Sequence, residues 1–413
     1  MFWGTFVGYA VFYFCRNNLG SALPGMGAEF GYTNTQLGLL ASVIYWTYAI
    51  GKFGHGVIAD RANIRTFMAT GLILSAVMNL LFPHFSTLWI MVLIWGLNGW
   101  FQSTGWPPCA KMLTHWYGME SRGLIWSLWS SSHQVGGAII VSLSAYLAQT
   151  YGWRAAFTVP AWIAILVGLG MLLTLRDRPV ELGLPPIERR GTADGDLAEE
   201  SREPVWATLR AHVLGNPWIW LLGFQNFCVY VARYGTLVWM VKFLVEKKQS
   251  GLASAGAKTA VIELAGIFGG IAAGWLSDKL KGHRSRLNVF FLVLLGLSIH
   301  VFWFIPGDAV ALQVAALGAI GFLVYGPQLL VAGPCTADLV PRKAAATATG
   351  FVGMFGYIGS SLIAGVFSGR VIDLFGWKSA FLLWTLMAFA GAALGLVMWN
   401  LSPSKGNRGL RKA

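Results

Sequence analysis

Two arginines in this sequence lie within long apolar stretches, and each follows a tyrosine by three residues. Arg16 occurs in "YFCRNN" and Arg233 in "YVARYG", so Tyr13 and Tyr230 precede them by one helical turn on the same face. A charge at a bilayer centre costs about 3 kcal/mol, so such a group should face a cavity or bind a partner. A guanidinium fork binds phosphate oxygens bidentately. The pattern therefore suggests a site for a doubly charged oxyanion.

The elements that carry these arginines are predicted from composition and hydropathy. Of 413 residues, 56% are hydrophobic and 11% are charged, whereas about 25% are charged in a soluble domain. Apolar stretches of about 20 residues, the length that crosses a bilayer as a helix, occur twelve times. They cover about 2–23, 36–58, 66–85, 87–113, 122–148, 153–175, 217–245, 255–277, 288–306, 309–335, 343–369 and 377–401. We therefore predict an all-α membrane protein of twelve transmembrane helices, with Arg16 inside the first.

The net charge of +13 follows this predicted topology. Lys and Arg concentrate in alternate loops, after the second, fourth, sixth, eighth and tenth helices, and in the carboxyl-terminal tail. This bias is the positive-inside rule, and it predicts that both termini lie in the cytoplasm. Because topology accounts for the basic residues, no nucleic-acid partner is predicted.

The sequence contains an internal repeat. "GVIADRANIR" after the second helix matches "GWLSDKLKGHR" after the eighth, and "YGWRAAF" matches "FGWKSAF". The chain is thus predicted to form two pseudo-symmetric six-helix bundles, 1–175 and 217–413, joined by a cytoplasmic linker over 176–216. Duplication of this kind is typical of transporters, whose substrate site lies between the halves. The matched loops supply six candidate cytoplasmic gating residues: Asp60, Arg61, Arg65, Asp278, Lys279 and Arg284.

The two arginines occupy equivalent positions in this repeat. Arg16 precedes Asp60 by 44 residues, and Arg233 precedes Asp278 by 45. In a parallel repeat we expect them to face each other across a central cavity, where a dianion would satisfy both. The alternative is neutralisation by a structural carboxylate, for which Glu263 is the main candidate. One buried acid, however, cannot serve two symmetric arginines.

Further polar residues in the apolar stretches are candidate supporting residues of this site. Lys52, whose repeat counterpart is Gly270, either adds a third cation or extends towards the cytoplasm. His133 matches Tyr357, which favours a pore role over a hydrogen bond between helices. Weaker candidates, for which plain packing is the alternative, are Tyr9, Tyr48 and Tyr325.

The sequence gives little support for catalysis or metal binding. The four cysteines fall in apolar stretches without metal-ligand spacing or a disulfide framework, and "GGIAAG" lacks the lysine of a phosphate-binding loop. No enzymatic activity, metal or cofactor is predicted.

Several motifs, taken in order, resemble those of the organophosphate:phosphate antiporters of the major facilitator superfamily. They are "YFCRNN", "GKFGHGVIADR", "GWPPCAK", "LWSSSHQVGG", "GLPPIE", "YVARYG" and "LVYGPQLL". The resemblance implies exchange of inorganic phosphate for a sugar phosphate, glycerol phosphate or phosphoglycerate across the bacterial inner membrane, by a monomer. It places the phosphoryl group on Arg16 and Arg233, and it places pore residues at Lys52, His133, Tyr13, Tyr48, Tyr230 and Tyr325.

Two departures from that family bear on the organic part of the substrate. In its glycerol phosphate carriers a lysine follows the first arginine and an aspartate lies five residues after the second, where this sequence has Asn17 and Val238. Because a positive and a negative residue are both replaced by neutral ones, the net charge of the pore is the same as in those carriers. The change suggests a different organic moiety in the substrate. Two other functions remain open: a membrane sensor of a sugar phosphate, and a proton-coupled carrier of another anion, for which Glu263 would have to be the titrating group.

Overall fold

The structure is a computed structural model, and it describes residues 1–117, 125, 128–183, 209–280, 284–340 and 342–400. Every regular element among these residues is helical, which confirms the predicted all-α class. The main helices are α1 (Phe2–Phe14), α2 (Leu19–Phe30), α3 (Asn34–Arg61), α4 (Ile64–Leu81), α5 (Leu88–Gln102), α6 (Trp106–Trp116), α7 (Ser132–Tyr151), α8 (Ala155–Thr174), α9 (Pro217–Lys248), α10 (Leu252–Lys279), α11 (Arg284–Phe304), α12 (Val310–Leu330), α13 (Arg342–Gly359) and α14 (Ser368–Val397). Short π-helical segments follow α12 and α13, at Val331–Cys335 and Ser360–Phe367.

The helices have the lengths and apolar composition of membrane spans. Within the described residues, seven helical segments are long and apolar enough to cross a bilayer. They are Ile64–His84, Ala155–Thr174, Pro217–Lys248, Leu252–Ser277, Arg284–Phe304, Val310–Cys335 and Thr347–Val397. The last of these covers two predicted stretches, and Gly376, at φ 77°, interrupts it between them. The chain is thus an integral membrane protein that crosses the bilayer several times.

Two of the predicted helices are each divided. The stretch over 2–23 forms α1 and α2, so the expectation that Arg16 lies inside a continuous helix is wrong: Arg16 lies in the turn between them. The stretch over 87–113 likewise forms α5 and α6, with a turn at 103–105. Hydropathy measures the length of an apolar stretch and does not detect breaks of three or four residues.

The described helices belong to two compact units. Unit 1 comprises 1–191 together with 238–263, and unit 2 comprises 192–237 and 264–413. In unit 1, α1 packs on α7 and α8, α3 packs on α5, and α4 packs on α8. In unit 2, α11 packs on α12 and α14. The predicted linker over 176–216 lies mostly outside the described residues, so that division stays a prediction.

The last part of α9 and the first part of α10 belong to unit 1. A Cβ atom on Gly256 of α10 would lie 2.2 Å from the Cβ of Ala145 on α7, so these helices approach as closely as a glycine allows. Beside this contact, the Ala253 backbone N–H donates a hydrogen bond to Gln149 Oε1, at 2.8 Å. The first half of α10 is therefore held against α7.

Three buried amide side chains satisfy carbonyl groups at the break between α1 and α2. Asn79 and Asn98 donate hydrogen bonds to the Cys15 carbonyl oxygen, at 3.2 and 2.8 Å, and Gln102 donates to the Phe12 carbonyl oxygen, at 2.9 Å. All three side chains are buried. In a bilayer, a carbonyl group without a donor costs several kcal/mol, so this amide clamp (Asn79, Asn98 and Gln102) makes the break stable.

The amide clamp leads to a prediction about stability. We expect Asn98→Ala to lower the free energy of unfolding by about 1–3 kcal/mol, because it removes a donor from the Cys15 carbonyl and the acceptor of the Ser75 hydroxyl. The measurement is thermal unfolding of the protein in detergent. Thr66→Ala is the control, since that hydroxyl is exposed and bonds only within its own helical turn. Equal stability of Asn98→Ala and wild type would contradict the role of the clamp.

Candidate functional site

In unit 1, Arg16 lies between the faces of two tyrosine rings. Its guanidinium carbon is 4.9 Å from the centroid of the Tyr13 ring and 4.3 Å from that of Tyr48, which α3 contributes. The ring of Tyr13 is in turn 5.6 Å from that of His133 on α7. Arg16 is 6% exposed, so these cation–π contacts act in a largely water-free environment, where they are strongest. Four of the predicted site residues are thus brought together.

Tyr9 lies one turn before Tyr13, in an aromatic cluster. Its ring is 5.8 Å from Tyr13, 5.8 Å from Trp106 and 5.0 Å from Trp129. Tyr9 is buried, and its ring contacts connect the Tyr13 ring to α6 and to the residues that precede α7. Tyr9 thus packs against Tyr13 within this cluster, and its part in ligand binding stays a prediction.

In unit 2, Arg233 lies in the unbroken helix α9 and also contacts two tyrosines. Its Nη2 donates a hydrogen bond to Tyr325 Oη at 2.5 Å, and its Nη1 donates to Tyr234 Oη at 3.3 Å. Its guanidinium carbon is 4.5 and 4.6 Å from the centroids of these rings. Arg233 is only 2% exposed. Tyr234 was not predicted from the sequence, although its place beside Arg233 in "YVARYG" was a signal for it.

The remaining predicted tyrosines of unit 2 lie next to this pair. The Tyr230 ring is 5.6 Å from the ring of Tyr234 and 5.7 Å from that of Tyr357 on α13. A Cβ atom on Gly356 would lie 2.8 Å from the Tyr230 ring, so this glycine admits the ring between α9 and α13. Tyr230, Tyr234, Tyr325 and Arg233 therefore form one continuous aromatic and cationic cluster.

The two units supply the stacking tyrosine from different helices. The repeat that pairs Asp60 with Asp278 pairs Tyr48 of α3 with Gly266 of α10. The space over Gly266 is taken by Tyr325 of α12, whose ring carbon Cδ2 would lie 2.1 Å from a Cβ atom there. Each arginine thus receives a tyrosine face, from the α3 position in one unit and from the α12 position in the other.

The counterpart of Tyr325 in the first repeat is a glycine, which is the reverse of the arrangement at Gly266. "QSTGWPPC" and "QLLVAGPC" align Gln102 with Gln328, which places Gly99 of α5 opposite Tyr325. A Cβ atom on Gly99 would lie 2.4 Å from the Ile44 carbonyl oxygen of α3, so only glycine fits. The tyrosine–glycine pair is therefore reversed between the units, Tyr48 with Gly99 and Gly266 with Tyr325.

The predicted gating residues are described in part. Arg284 forms an ion pair with Asp338 and also donates hydrogen bonds to Ser277 Oγ and the Pro334 carbonyl, both at 3.0 Å. The Arg65 backbone N–H donates to Asp177, at 3.0 Å, and exposed Lys279 lies 3.8 Å from the Trp275 ring centroid. Arg284 thus connects α10, α11 and the segment after α12. The side chains of four predicted residues lie outside the described residues: Lys52, Asp60, Arg61 and Asp278.

The chemistry available at these clusters is that of anion binding. Each arginine is buried among aromatic rings that fix the plane of the guanidinium, and tyrosine hydroxyls add hydrogen-bonding groups beside it. Within the described part of the chain, no three His, Cys, Asp or Glu side chains are grouped so that they could hold a metal ion.

Comparison with known proteins places the chain in a family. The sequence profile of the Major Facilitator Superfamily matches residues 5–364. A probable hexose phosphate transport protein of Chlamydia pneumoniae is 40% identical over 416 residues, which cover 97% of this chain and 90% of that protein. The membrane sensor protein UhpC of Escherichia coli is 38% identical over 401 residues, with 95% and 90% covered. The glycerol-3-phosphate transporter of Bacillus subtilis is 37% identical over 417 residues, with 99% and 93% covered.

A solved structure shares the fold. The bacterial homologue of the human lysosomal transporter Spinster superposes with a TM-score of 0.81 over 96% of each chain, at 17% sequence identity. At that identity the likeness shows the fold alone, and it agrees with the fold class predicted from the sequence.

The reversed tyrosine–glycine pair leads to a prediction about packing. We expect Gly266→Ala to lower the free energy of unfolding by about 1–3 kcal/mol, because the new methyl group overlaps the Tyr325 ring. Gly270→Ala, one turn further along α10, is the matched control, since a Cβ atom there meets nothing within 4 Å. Thermal unfolding in detergent measures both variants.

A second substitution tests whether the ring is the cause. In the Gly266→Ala background, Tyr325→Ala removes the overlap, so the two changes together should cost less than the sum of the single changes. Additive effects, or equal losses at positions 266 and 270, would contradict this account of the packing.

Proposed function

The chain belongs to the organophosphate:phosphate antiporter family of the major facilitator superfamily, whose members are membrane transporters and not enzymes, and we propose that it exchanges inorganic phosphate for a phosphorylated organic metabolite. The observation that carries this proposal is the pair of buried arginines at equivalent repeat positions, each stacked on tyrosine rings. The relatives named for hexose phosphate and for glycerol 3-phosphate indicate the class of metabolite.

Phosphate fits two arginines better than one. Its dianion carries the charge that neutralises both guanidinium groups, and its oxygens accept the paired N–H bonds that each fork presents. Tyrosine rings lie against each guanidinium group, and the Arg233 donors also bond to the hydroxyl groups of Tyr234 and Tyr325. The aromatic contacts already restrict the conformations of the arginine side chains, so ligand binding costs less conformational entropy.

Alternating access follows from the same electrostatics. Without a ligand, two like charges oppose closure of the site, and a bound dianion removes that opposition. A ligand shifts a conformational equilibrium only by its differential affinity for the two states, and a dianion that contacts both arginines has such a difference. Because the empty carrier would cross slowly, movement should be exchange of one phosphorylated ligand for another. The residues from Asp60 to Arg65 and from Asp278 to Arg284 would gate the cytoplasmic side in each cycle.

The orientation and location belong to the same proposal. The excess of Lys and Arg in alternate loops supports both termini in the cytoplasm, and the bacterial relatives support the inner membrane. We propose a monomeric carrier, since the two halves of one chain supply both arginines of the predicted site.

One relative supports a second candidate function. The sensor UhpC is 38% identical, so the same arginines could bind a sugar phosphate that is sensed and not transported. Transport and sensing differ in a simple observable, because only a carrier moves labelled ligand into a vesicle.

Reconstituted exchange tests the proposal. Liposomes that contain the protein and internal phosphate should take up labelled phosphate, and external phosphorylated metabolites should compete for this uptake. Arg16→Lys and Arg233→Lys should each reduce exchange at least about tenfold, because lysine keeps the charge and loses the bidentate fork. Arg286→Lys is the matched control, since that arginine lies at the exposed start of α11 and contacts Trp399 and Asn400.

Three outcomes would overturn the proposal. Uptake that does not need internal phosphate would indicate a proton-coupled carrier, and ligand binding without uptake would indicate a sensor. Full exchange by both Lys variants would show that the guanidinium forks do not hold the phosphoryl group.

A further inference from the structure

The helix that carries Tyr325 leads into an interrupted segment in unit 2. Val331–Cys335 follows α12 directly and is wound as a π-helix, and Gly333 within it has non-helical backbone angles, φ −109° and ψ −105°. Pro334 comes next and lacks the N–H group that a regular helix uses. Pro334 lies nine residues after Tyr325, which is about 14 Å along a helix axis.

One of the predicted gating residues holds this interrupted segment. Arg284, the first residue of α11, donates a hydrogen bond through Nη1 to the Pro334 carbonyl oxygen at 3.0 Å and forms an ion pair with Asp338. Its Nε donates to Ser277 Oγ of α10, also at 3.0 Å. A single guanidinium group therefore connects the end of α10 with the interrupted segment that follows α12.

The ion pair of Arg284 with Asp338 is suited to being made and broken. The two side chains are 20% and 28% exposed, so water reaches both charged groups. Separation of such a pair leaves no charge without solvent, whereas separation of a fully buried pair would. The contact can therefore follow the state of the cytoplasmic side.

Close packing on α10 makes Tyr325 move together with its helix. A Cβ atom on Gly269 of α10 would lie 2.0 Å from the Phe322 carbonyl oxygen of α12. Tyr325 lies over Gly266 of α10 and accepts a hydrogen bond from Arg233. Interiors packed at this density leave no space for one ring to shift independently of its helix. A displacement of α12 therefore changes the contact between Tyr325 and Arg233.

The first repeat lacks both ends of this connection. In the alignment of "QSTGWPPC" with "QLLVAGPC", Asp338 corresponds to Met112, which carries no charge, and Tyr325 corresponds to Gly99. The arginine of unit 1 receives its second tyrosine face from α3 instead. The acid that pairs with Arg284 thus follows the helix that supplies a tyrosine to an arginine, and the counterpart of that helix has neither residue.

We propose that Arg284 is a positioning residue for the arginine site of unit 2, because it fixes the interrupted end of α12 and thereby sets how Tyr325 meets Arg233. This inference rests on the proposed function and names a residue that regulates the same site. Release of Arg284 from Pro334 and Asp338 weakens ligand binding at Arg233. Because coupling between two sites is reciprocal, a ligand bound at Arg233 also favours the contacts of Arg284.

A double-mutant cycle on phosphate binding tests this connection. Equilibrium binding of labelled inorganic phosphate is measured with the whole chain in detergent. Arg284→Gln should weaken binding at least about fivefold. In a Tyr325→Ala background the same change should weaken binding by less than about twofold, because the ring through which Arg284 acts is then absent. In a Tyr48→Ala background, which removes a ring of unit 1, the loss should again be at least about fivefold.

Two further variants serve as a control and as a safeguard against failure to fold. Arg286→Gln is the matched control, since Arg286 lies two residues further along α11 and contacts Trp399 and Asn400 after α14. It should change phosphate affinity by less than about twofold in every background. Asp338→Asn removes the ion-pair partner and leaves Arg284 in place, so it should weaken phosphate binding in the same direction as Arg284→Gln.

Two results on binding would overturn the role of Arg284. One is an equal loss of affinity with and without the Tyr325 ring, and the other is unchanged affinity in both Arg284→Gln and Asp338→Asn. If the wild type does not bind phosphate, the proposed function fails, and the same cycle in thermal unfolding of the ligand-free protein decides the connection. Additive effects of Arg284→Gln and Tyr325→Ala on the unfolding temperature would then overturn it, and non-additive effects would support it.

Discussion

A helix that breaks inside a bilayer must find donors for the carbonyl groups that it releases, and this requirement underlies the arrangement around Arg16. The turn between α1 and α2 contains Arg16 and Asn17, so their side chains do not follow the regular spacing of a continuous helix. Amide side chains from α4 and α5 reach across to the carbonyl oxygens of Phe12 and Cys15. The first arginine thus owes its position to neutral hydrogen bonds donated by neighbouring helices to the backbone on which it lies.

The second arginine reaches a similar environment by another route. Arg233 lies in an unbroken helix, and its donors are directed to the hydroxyl groups of Tyr234 and Tyr325. Both arginines are nevertheless buried and stacked on aromatic faces. The two arginines thus have similar surroundings, although the backbone turns at the first and is helical at the second. The feature that the two repeats share is therefore the environment of the guanidinium group and not the path of the backbone.

Much of this could be predicted from the sequence, and the rest could not, for physical reasons. A spacing of three residues was enough to pair Arg16 with Tyr13, although a turn and not a helix brings them together, and hydropathy and motifs were enough for the helical class and the family. Contacts between helices depend on packing, which spacing does not encode. The clamp residue Asn98 and the contact of Tyr234 with Arg233 therefore emerged only in three dimensions. The break at Arg16 was missed because the residues around it are as apolar as those of an intact helix.

The reversed tyrosine–glycine pair makes the two repeats non-interchangeable at the level of single helices. A chimera that received the α3 sequence in place of α10 would bring a second ring into the space that Tyr325 already fills. The reciprocal transplant would remove the Tyr48 ring from Arg16 and leave glycines at both positions of that unit. Recombination or gene conversion between the halves therefore has to carry α3 together with α5, or α10 together with α12, to yield a working protein.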